Sequence, residues 1–489
     1  MHITIRNLTT EPITAHTYPA SSRFNVLRRA EEGTSSGNRF ILPPSLDITI
    51  ILPKGFKREL VLQQPKDSQA VRSTGENTPV VETSPLLDAK EWHIHPEGFK
   101  IQFSMTFSAS WQAVPVPGDC PWRAFIRRVT RRHHKLLILA RRNLATFLSD
   151  MPDRLPLSSL TLPGSMAFHG WPISQCQSPS TPLSSQLHNG IRVIDIRLAV
   201  IPPPPPMSTP LNTTRTQELI AYHGLWPQRT PFISILNDVY TFLTSPVGQK
   251  ETIVMSIKQE DFAITPAPFF SQLVRDTIAR SSGGWDDSKP STGAINKGMW
   301  FLENRIPTLG EVRGKVIMLS RFGGDGDGWE GGLEGIGIHP TTWPDSVKDG
   351  FEWELKGTLV KTSDWYAIPS FFSIPEKVNL ATANLIPPAD APRPVLPITY
   401  FSAAIKLGAW LIDQLGGCPD FNRNLSSREK FDSEGSEKFE DTAAAAGQSE
   451  PRIRGFALVD YYAEPEGGDI IPLLVECNFR GRKNGEEGW

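Results

Sequence analysis

The chain predicts an α/β fold: a TIM-type, irregular (β/α) barrel preceded by a small, all-β, sandwich-like domain. Three observations carry this. Residues 1–115 contain segments that alternate apolar and polar side chains. Residues 155–485 contain eight short apolar segments separated by loops and helical stretches. The chain has 489 residues, too many for one small domain at roughly 100–200 residues per domain.

In the first region Phe99, Ile101, Phe103, Met105 and Phe107 alternate with Lys100, Gln102, Ser104, Thr106 and Ser108. A period of two is the mark of a half-buried strand. Residues 2–6 and 47–52 follow the same pattern, and polar stretches at 31–38 and 64–86 separate them. A small antiparallel sandwich is the expected arrangement.

Residues 116–154 form a basic segment. Arg123, Arg127, Arg128, Arg131, Arg132, Lys135, Arg141 and Arg142 fall between Asp119 and Asp150 with no acid among them. The segment has two readings: a solvated helix or linker, or a patch spanning 123–142 that meets anionic lipid headgroups peripherally.

The eight barrel segments are 158–163, 191–198, 218–223, 251–258, 315–321, 357–364, 397–402 and 455–460. Most are rich in Val, Ile and Leu, as strands covered on both faces are. Parallel strands joined by helical crossovers give the barrel. The proline run 202–206 reads as a stiff loop, and the acidic, low-complexity stretch 431–450 as a disordered insertion.

Composition narrows function. Lys and Arg number 50 against 52 Asp and Glu, a net charge of −2, which argues against nucleic acid as a partner. The 44 prolines exceed the roughly 24 that an average usage of about 5% would give, and they point to long loops. No apolar run approaches the roughly 18 residues of a bilayer span. The N-terminal MHITIRNLTTEP lacks the basic and apolar regions of a signal peptide. The four cysteines are scattered without metal or disulfide spacing, which fits a reducing, cytoplasmic compartment.

Polar residues gather where the barrel strands end. Asp195 and Arg197 share one face of their strand, and His223 ends the next segment. Lys258, Arg321 and Asp460 end three others, while Asp364 and Tyr366 follow a fourth. The C-terminal mouth is where barrel enzymes place their sites. Taken singly, Asp195–Arg197 reads equally as a structural ion pair, His223 as a loop residue, Lys258 as a snorkelling edge residue and Asp460 as a helix cap. Together, two arginines and a lysine around one histidine suit an anionic oxygen ligand such as phosphate.

These segments carry a resemblance. LPGSMAFHGWPISQCQ, LSSQLHNGIRVIDIRL, YHG and ETIVMSIKQE follow one another in the order seen in the X region of phosphatidylinositol-specific phospholipases C. LGEVRGKVIMLSRF, Trp343–Asp345, Ser363–Tyr366 and GFALVDYY resemble later parts of the bacterial-type enzymes and their fungal relatives. The resemblance covers roughly residues 140–480. It implies a phosphodiesterase that releases diacylglycerol and a cyclic inositol phosphate from a phosphatidylinositol-type lipid. By the same resemblance His223 is the general acid, Arg197 stabilises the phosphate, and Asp195 is its acidic partner. Asp460 orients the base histidine, and Lys258, Arg321, Asp364 and Tyr366 line the inositol pocket. Calcium-dependent relatives place a carboxylate where Arg197 stands, so the resemblance implies a calcium-independent enzyme with no metal or other cofactor.

The chain departs from the family at the turn that carries the general base. Aligned without a gap, Met166 takes the base position and Ala167 that of the following acid. Aligned with a gap, Thr-His-Asp is missing after Gly164, and this alignment reads more smoothly. His169 is the nearby substitute, either a loop residue or a displaced base. Three readings follow: an active phosphodiesterase, an impaired relative that binds the headgroup, and a sequence from which three codons were trimmed.

Overall fold

The computed structural model describes residues 2–17, 38–44, 47–52, 59–63, 98–102, 112–166, 176–203, 217–224, 226–261, 263–284, 296–323, 337–388, 391–402, 404–405, 453–463 and 470–479. The proline run beyond residue 203, the stretch 431–450, His169 and the alternation beyond Gln102 therefore lie outside the described residues. The chain divides into two compact units, Met1–Arg141 and Arg142–Trp489.

In the first unit the described strands are β1 (His2–Asn7), β2 (Ile13–Thr17), β3 (Asn38–Leu42), β4 (Asp47–Ile51), β5 (Glu59–Gln63), β6 (Phe99–Gln102), β7 (Gln112–Val114), β8 (Trp122–Thr130) and β9 (His133–Ala140). They form two sheets, ordered β4-β1-β9-β8-β7 and β3-β2-β5-β6. Ile3 and Ile5 of the first sheet and Ile13, Leu60, Leu62 and Ile101 of the second share one core. The pairing is not wholly antiparallel, because β1 runs parallel to β9.

Within the basic segment 116–154, Trp122–Ala140 is the antiparallel hairpin β8–β9, with Arg127 opposite Lys135, and Leu144–Asp150 is a 3-10 helix. Trp122, Ala124 and Ile126 bury in step with Leu136 and Ile138, and this period of two outweighs the helical reading that the charges suggested. Lys135 is buried and pairs with Asp47 at 3.3 Å, whereas Arg131 and Arg132 are exposed at the turn.

In the second unit the strands are β10 (Thr161–Met166), β11 (Val193–Ile201), β12 (Glu218–His223), β13 (Trp226–Pro231), β14 (Thr252–Gln259), β15 (Asn296–Lys297), β16 (Trp300–Phe301), β17 (Lys315–Arg321), β18 (Phe351–Leu355), β19 (Thr358–Ser363), β20 (Ala367–Ile368), β21 (Val395–Tyr400), β22 (Ala404–Ile405) and β23 (Gly455–Leu458). One twelve-stranded sheet has the order β15-β16-β17-β14-β11-β10-β23-β21-β19-β18, with the hairpin β12–β13 attached to β11. From β16 to β19 every neighbouring pair is parallel. The segment 218–223 is the exception among the eight sequence segments. It pairs antiparallel to β11 and forms a hairpin with β13. The eighth parallel strand is the two-residue β16, too short to leave a periodic signal.

The sheet curls into an incompletely closed barrel. Arg321 on β17 donates to the Tyr400 hydroxyl on β21 at 2.9 Å, although four strands lie between them in the sheet order. Gly164 allows the tight curl at the centre. A Cβ there would lie 2.8 Å from Leu458 and 2.9 Å from Val193.

Helices α1 (Leu183–His188), α2 (Phe232–Thr244), α3 (Ala267–Arg280), α4 (Leu309–Val312), α5 (Ile374–Asn384) and α6 (Ile470–Glu476) complete the unit. Phe232, Ile235, Leu236, Val239 and Phe242 make one buried stripe of α2, at the spacing an amphipathic helix requires. In α5 the same stripe runs Ile374, Lys377, Val378, Ala381, so a lysine enters the core.

At the N-terminal ends of β11 and β14 lies a fully buried ion pair. Arg192 donates to Glu251 at 2.9 Å and to the carbonyls of Leu187, Ile191, Leu144 and Ala145. Glu251 also accepts from the Leu148 and Ser149 amides. Both charges thus keep the hydrogen bonds that water would give, which is what makes a buried pair tolerable. None of the helices among the described residues is long and apolar enough to cross a membrane.

Candidate functional site

Strand register builds the site. Arg197 on β11 pairs with Lys258 on β14, which pairs with Arg321 on β17. Three cations therefore occupy one row on adjacent parallel strands, about 4.8 Å apart. Two residues earlier, Met166 on β10 pairs with Asp195 on β11, which pairs with Ser256 on β14. Period-two alternation aims Asp195, Arg197, Ser256, Lys258 and Arg321 into the barrel.

Carboxylates hold the like charges together. Asp195 is fully buried and accepts from Ser256 at 2.8 Å, Arg321 at 3.1 Å and Arg197 at 3.2 Å. Burial alone would push its pKa up, but Arg321, Arg197 and the Ser256 hydroxyl outweigh it and hold the carboxyl below the usual range. Glu260 accepts from Lys258 at 3.2 Å and from Arg197 at 3.5 Å. Burial and then the Arg197 charge push Lys258 below its ordinary value, with Glu260 opposing them. Burial works against the charge of Arg197 too, but Asp195 and Glu260 raise it above the ordinary guanidinium value.

Depth separates these cations. The Arg321 side chain is 2% exposed, against 17% for Arg197 and 30% for Lys258. Arg321 lies 3.8 Å over the Trp343 ring, and its second amino group is 3.9 Å from Asp364. It is thus packed below the rim, and the cations open to a ligand are Arg197 and Lys258. Asp364 also accepts from the Trp343 indole at 3.0 Å. Tyr366 is 36% exposed and donates to Asp345 at 2.5 Å. Burial and that carboxylate push its phenol up.

Cys176 joins the segments that carry His223 and Asp460. Cys176 Sγ lies 3.4 Å from His223 Nδ1, and the Cys176 carbonyl accepts from the Tyr461 amide at 2.9 Å, one residue beyond Asp460. One residue therefore ties both segments to the same end of the barrel. Of the residues expected from sequence, Asp195, Arg197, Lys258, Arg321 and Asp364 form one connected cluster, with Tyr366 two residues past Asp364. His223 and Asp460 lie on two segments that Cys176 joins, and His169 lies outside the described residues.

Met166 ends β10 in register with Asp195. β10 runs unbroken through Ser165 and Met166. Ser165 donates to Gln186 on α1 at 2.5 Å, on the outer face, so alternation turns Met166 inward beside Asp195.

Three contributors escaped sequence reasoning. Ser256 shares a face with Lys258, a signal the period of two carries. Tyr400 sits at the mouth end of β21, but a tyrosine there reads as core. Lys377 gave no signal, because a lysine on a helix reads as solvated. Its Nζ donates to the Tyr400 carbonyl at 2.5 Å from a fully buried position. Burial pushes this ammonium down to about 8, with Asp364 opposing.

Fold and site together define an α/β barrel whose mouth is lined by paired cations and carboxylates. No family model matches the chain. It is similar to a 1-phosphatidylinositol phosphodiesterase of Listeria monocytogenes, 29% identical over 191 residues. That match takes in 36% of this chain and 48% of the relative, so the chain spans about half the length of the curated relative it matches. Among solved structures, a phosphatidylinositol-specific phospholipase C from Staphylococcus aureus aligns over 69% of this chain and 98% of its own, at 18% identity and a TM-score of 0.47. The corresponding enzyme of Listeria monocytogenes aligns over 69% and 99%, at 19% identity and a TM-score of 0.40.

Proposed function

We propose that the barrel is a phosphoric diester hydrolase of the phosphatidylinositol phospholipase C type. Its substrate is an inositol phospholipid, and its products are diacylglycerol and a cyclic inositol phosphate. The row Arg197–Lys258–Arg321, neutralised from within by Asp195 and Glu260, carries this reading. Arg197 and Lys258 offer charge-assisted hydrogen bonds to a phosphodiester. Asp364 and Tyr366 supply acceptors and an aromatic face for the inositol ring. The inositol 2-hydroxyl attacks phosphorus and gives its proton to water, the bond to the glycerol oxygen breaks, and that oxygen takes a proton from His223.

Calcium independence belongs to the same reading. Both Asp195 oxygens are already engaged by guanidinium groups or a hydroxyl, and Arg197 repels a cation. A peripheral contact with anionic membrane through 123–142 is part of the proposal, carried by Arg128, Arg131 and Arg132 at the hairpin turn rather than by the buried Arg127 and Lys135.

A second reading is favoured by Met166, which cannot accept the proton of the 2-hydroxyl. Losing a general base costs about 10²–10⁴-fold. The chain would then bind the headgroup and turn it over slowly. One experiment tests both. Phosphatidylinositol vesicles are incubated with the chain in excess calcium chelator, and headgroup release and vesicle binding are followed. Saturable, chelator-resistant release or binding that Arg197→Met weakens at least about tenfold is expected. Equal behaviour of the variant, or loss on chelation, overturns the proposal.

A further inference from the structure

The thiol of Cys176 has no place in the chemistry described so far, yet it faces a ring nitrogen of the residue that moves a proton. It is 1% exposed, so it is not a group that meets substrate. Its carbonyl is held by the Tyr461 amide at the end of β23, and its sulfur lies 3.4 Å from His223 Nδ1 at the end of β12. We infer that Cys176 is a positioning residue for His223: its sulfur engages Nδ1 and holds the ring in the orientation from which it delivers a proton to the leaving alcohol. The inference rests on the proposed function, in which His223 is the acid.

The physical basis is the distinctness of the two imidazole nitrogens. Which nitrogen carries the proton is set by the partner of the other. A sulfur at Nδ1 is a weak, neutral partner, so it fixes ring orientation without adding a charge beside the imidazole. Orientation matters only when the leaving group needs a proton. A leaving group acidic enough to depart as its anion bypasses it.

Two readouts test this on the full chain with Cys176→Ala and the near-isosteric Cys176→Ser. Turnover is measured on two inositol phosphodiesters, one with an alkyl alcohol and one with 4-nitrophenol as leaving group. Cys176→Ala should lower alkyl turnover about tenfold and leave aryl turnover within about twofold, and Cys176→Ser should recover most of the loss. Equal losses on both substrates, or none, overturn the inference. Nitrogen-15 spectra of His223, assigned with His223→Asn, give the second readout. The Nδ1 signal should change in the alanine variant and be largely retained in the serine variant. If the unmodified chain cleaves neither ester, the proposed function fails while the spectra still decide this inference, and an unchanged Nδ1 signal in Cys176→Ala overturns it.

Discussion

Replacing Lys377 with methionine should change stability with a sign that depends on pH. The ammonium is fully buried and donates to the Tyr400 carbonyl. Burial lowers its pKa from 10.5 to about 8. That difference corresponds to about 3 kcal/mol between the charged and neutral forms in the fold. Because the folded value lies below the unfolded one, the unfolded chain holds the extra proton between about pH 8 and 10.5. Stability therefore rises with pH across that window, and the full cost of the buried charge is present below it. Methionine fills a similar volume without charge but loses the hydrogen bond, worth about 1–2 kcal/mol. The variant should be more stable than the unmodified chain by about 1–2 kcal/mol near pH 7, and less stable by a similar amount near pH 10.5. Urea unfolding of both chains, followed by tryptophan fluorescence at several pH values, measures the difference directly. Other groups titrate in this range, but they are common to both chains and cancel. A difference that stays constant within about 0.5 kcal/mol from pH 7 to 10.5 would refute the reasoning.

Asp195 should make the barrel sensitive to acid. Its folded pKa is held below the unfolded value, so its contribution is present above about pH 4 and is lost as pH falls through the folded value. Asp195→Asn should be less stable at neutral pH and show a shallower loss below about pH 4, as read by circular dichroism. Breaking the buried pair with Glu251→Gln leaves Arg192 charged and uncompensated, and should cost about 3–5 kcal/mol in denaturant unfolding. Because the pair sits at the opposite ends of β11 and β14 from the mouth, headgroup binding by the folded fraction should change little.

Much of the barrel was legible because parallel strands covered on both faces announce themselves as apolar runs. β10, β11, β14, β17, β19, β21 and β23 all fall on such runs. β12 carries the same composition, and only its pairing partner distinguishes it. Composition does not encode direction. The β8–β9 hairpin was obscured because six basic side chains drew attention from the Trp122, Ala124, Ile126 alternation beneath them. The row Arg197–Lys258–Arg321 was legible as three strand ends, but its shared register was not, because register is a property of pairing. Arg321 illustrates the limit: its residue type suggests a rim cation, and its burial against Trp343 and Tyr400 makes it a support for Asp195. Met166 shows the reverse case. Its residue type gave no site signal, yet β10 seats it in register with Asp195.

The central proposal is that this mouth is a phosphodiester site and that Met166 stands where its general base would. The direct test is to install that base with Met166→His, alone and with Ala167→Asp, and to measure cyclic inositol phosphate released from phosphatidylinositol vesicles under chelator. Turnover should rise by at least about 10²-fold while headgroup binding stays within about threefold. Turnover equal to that of the unmodified chain, with both proteins folded and both binding headgroup, would contradict the account.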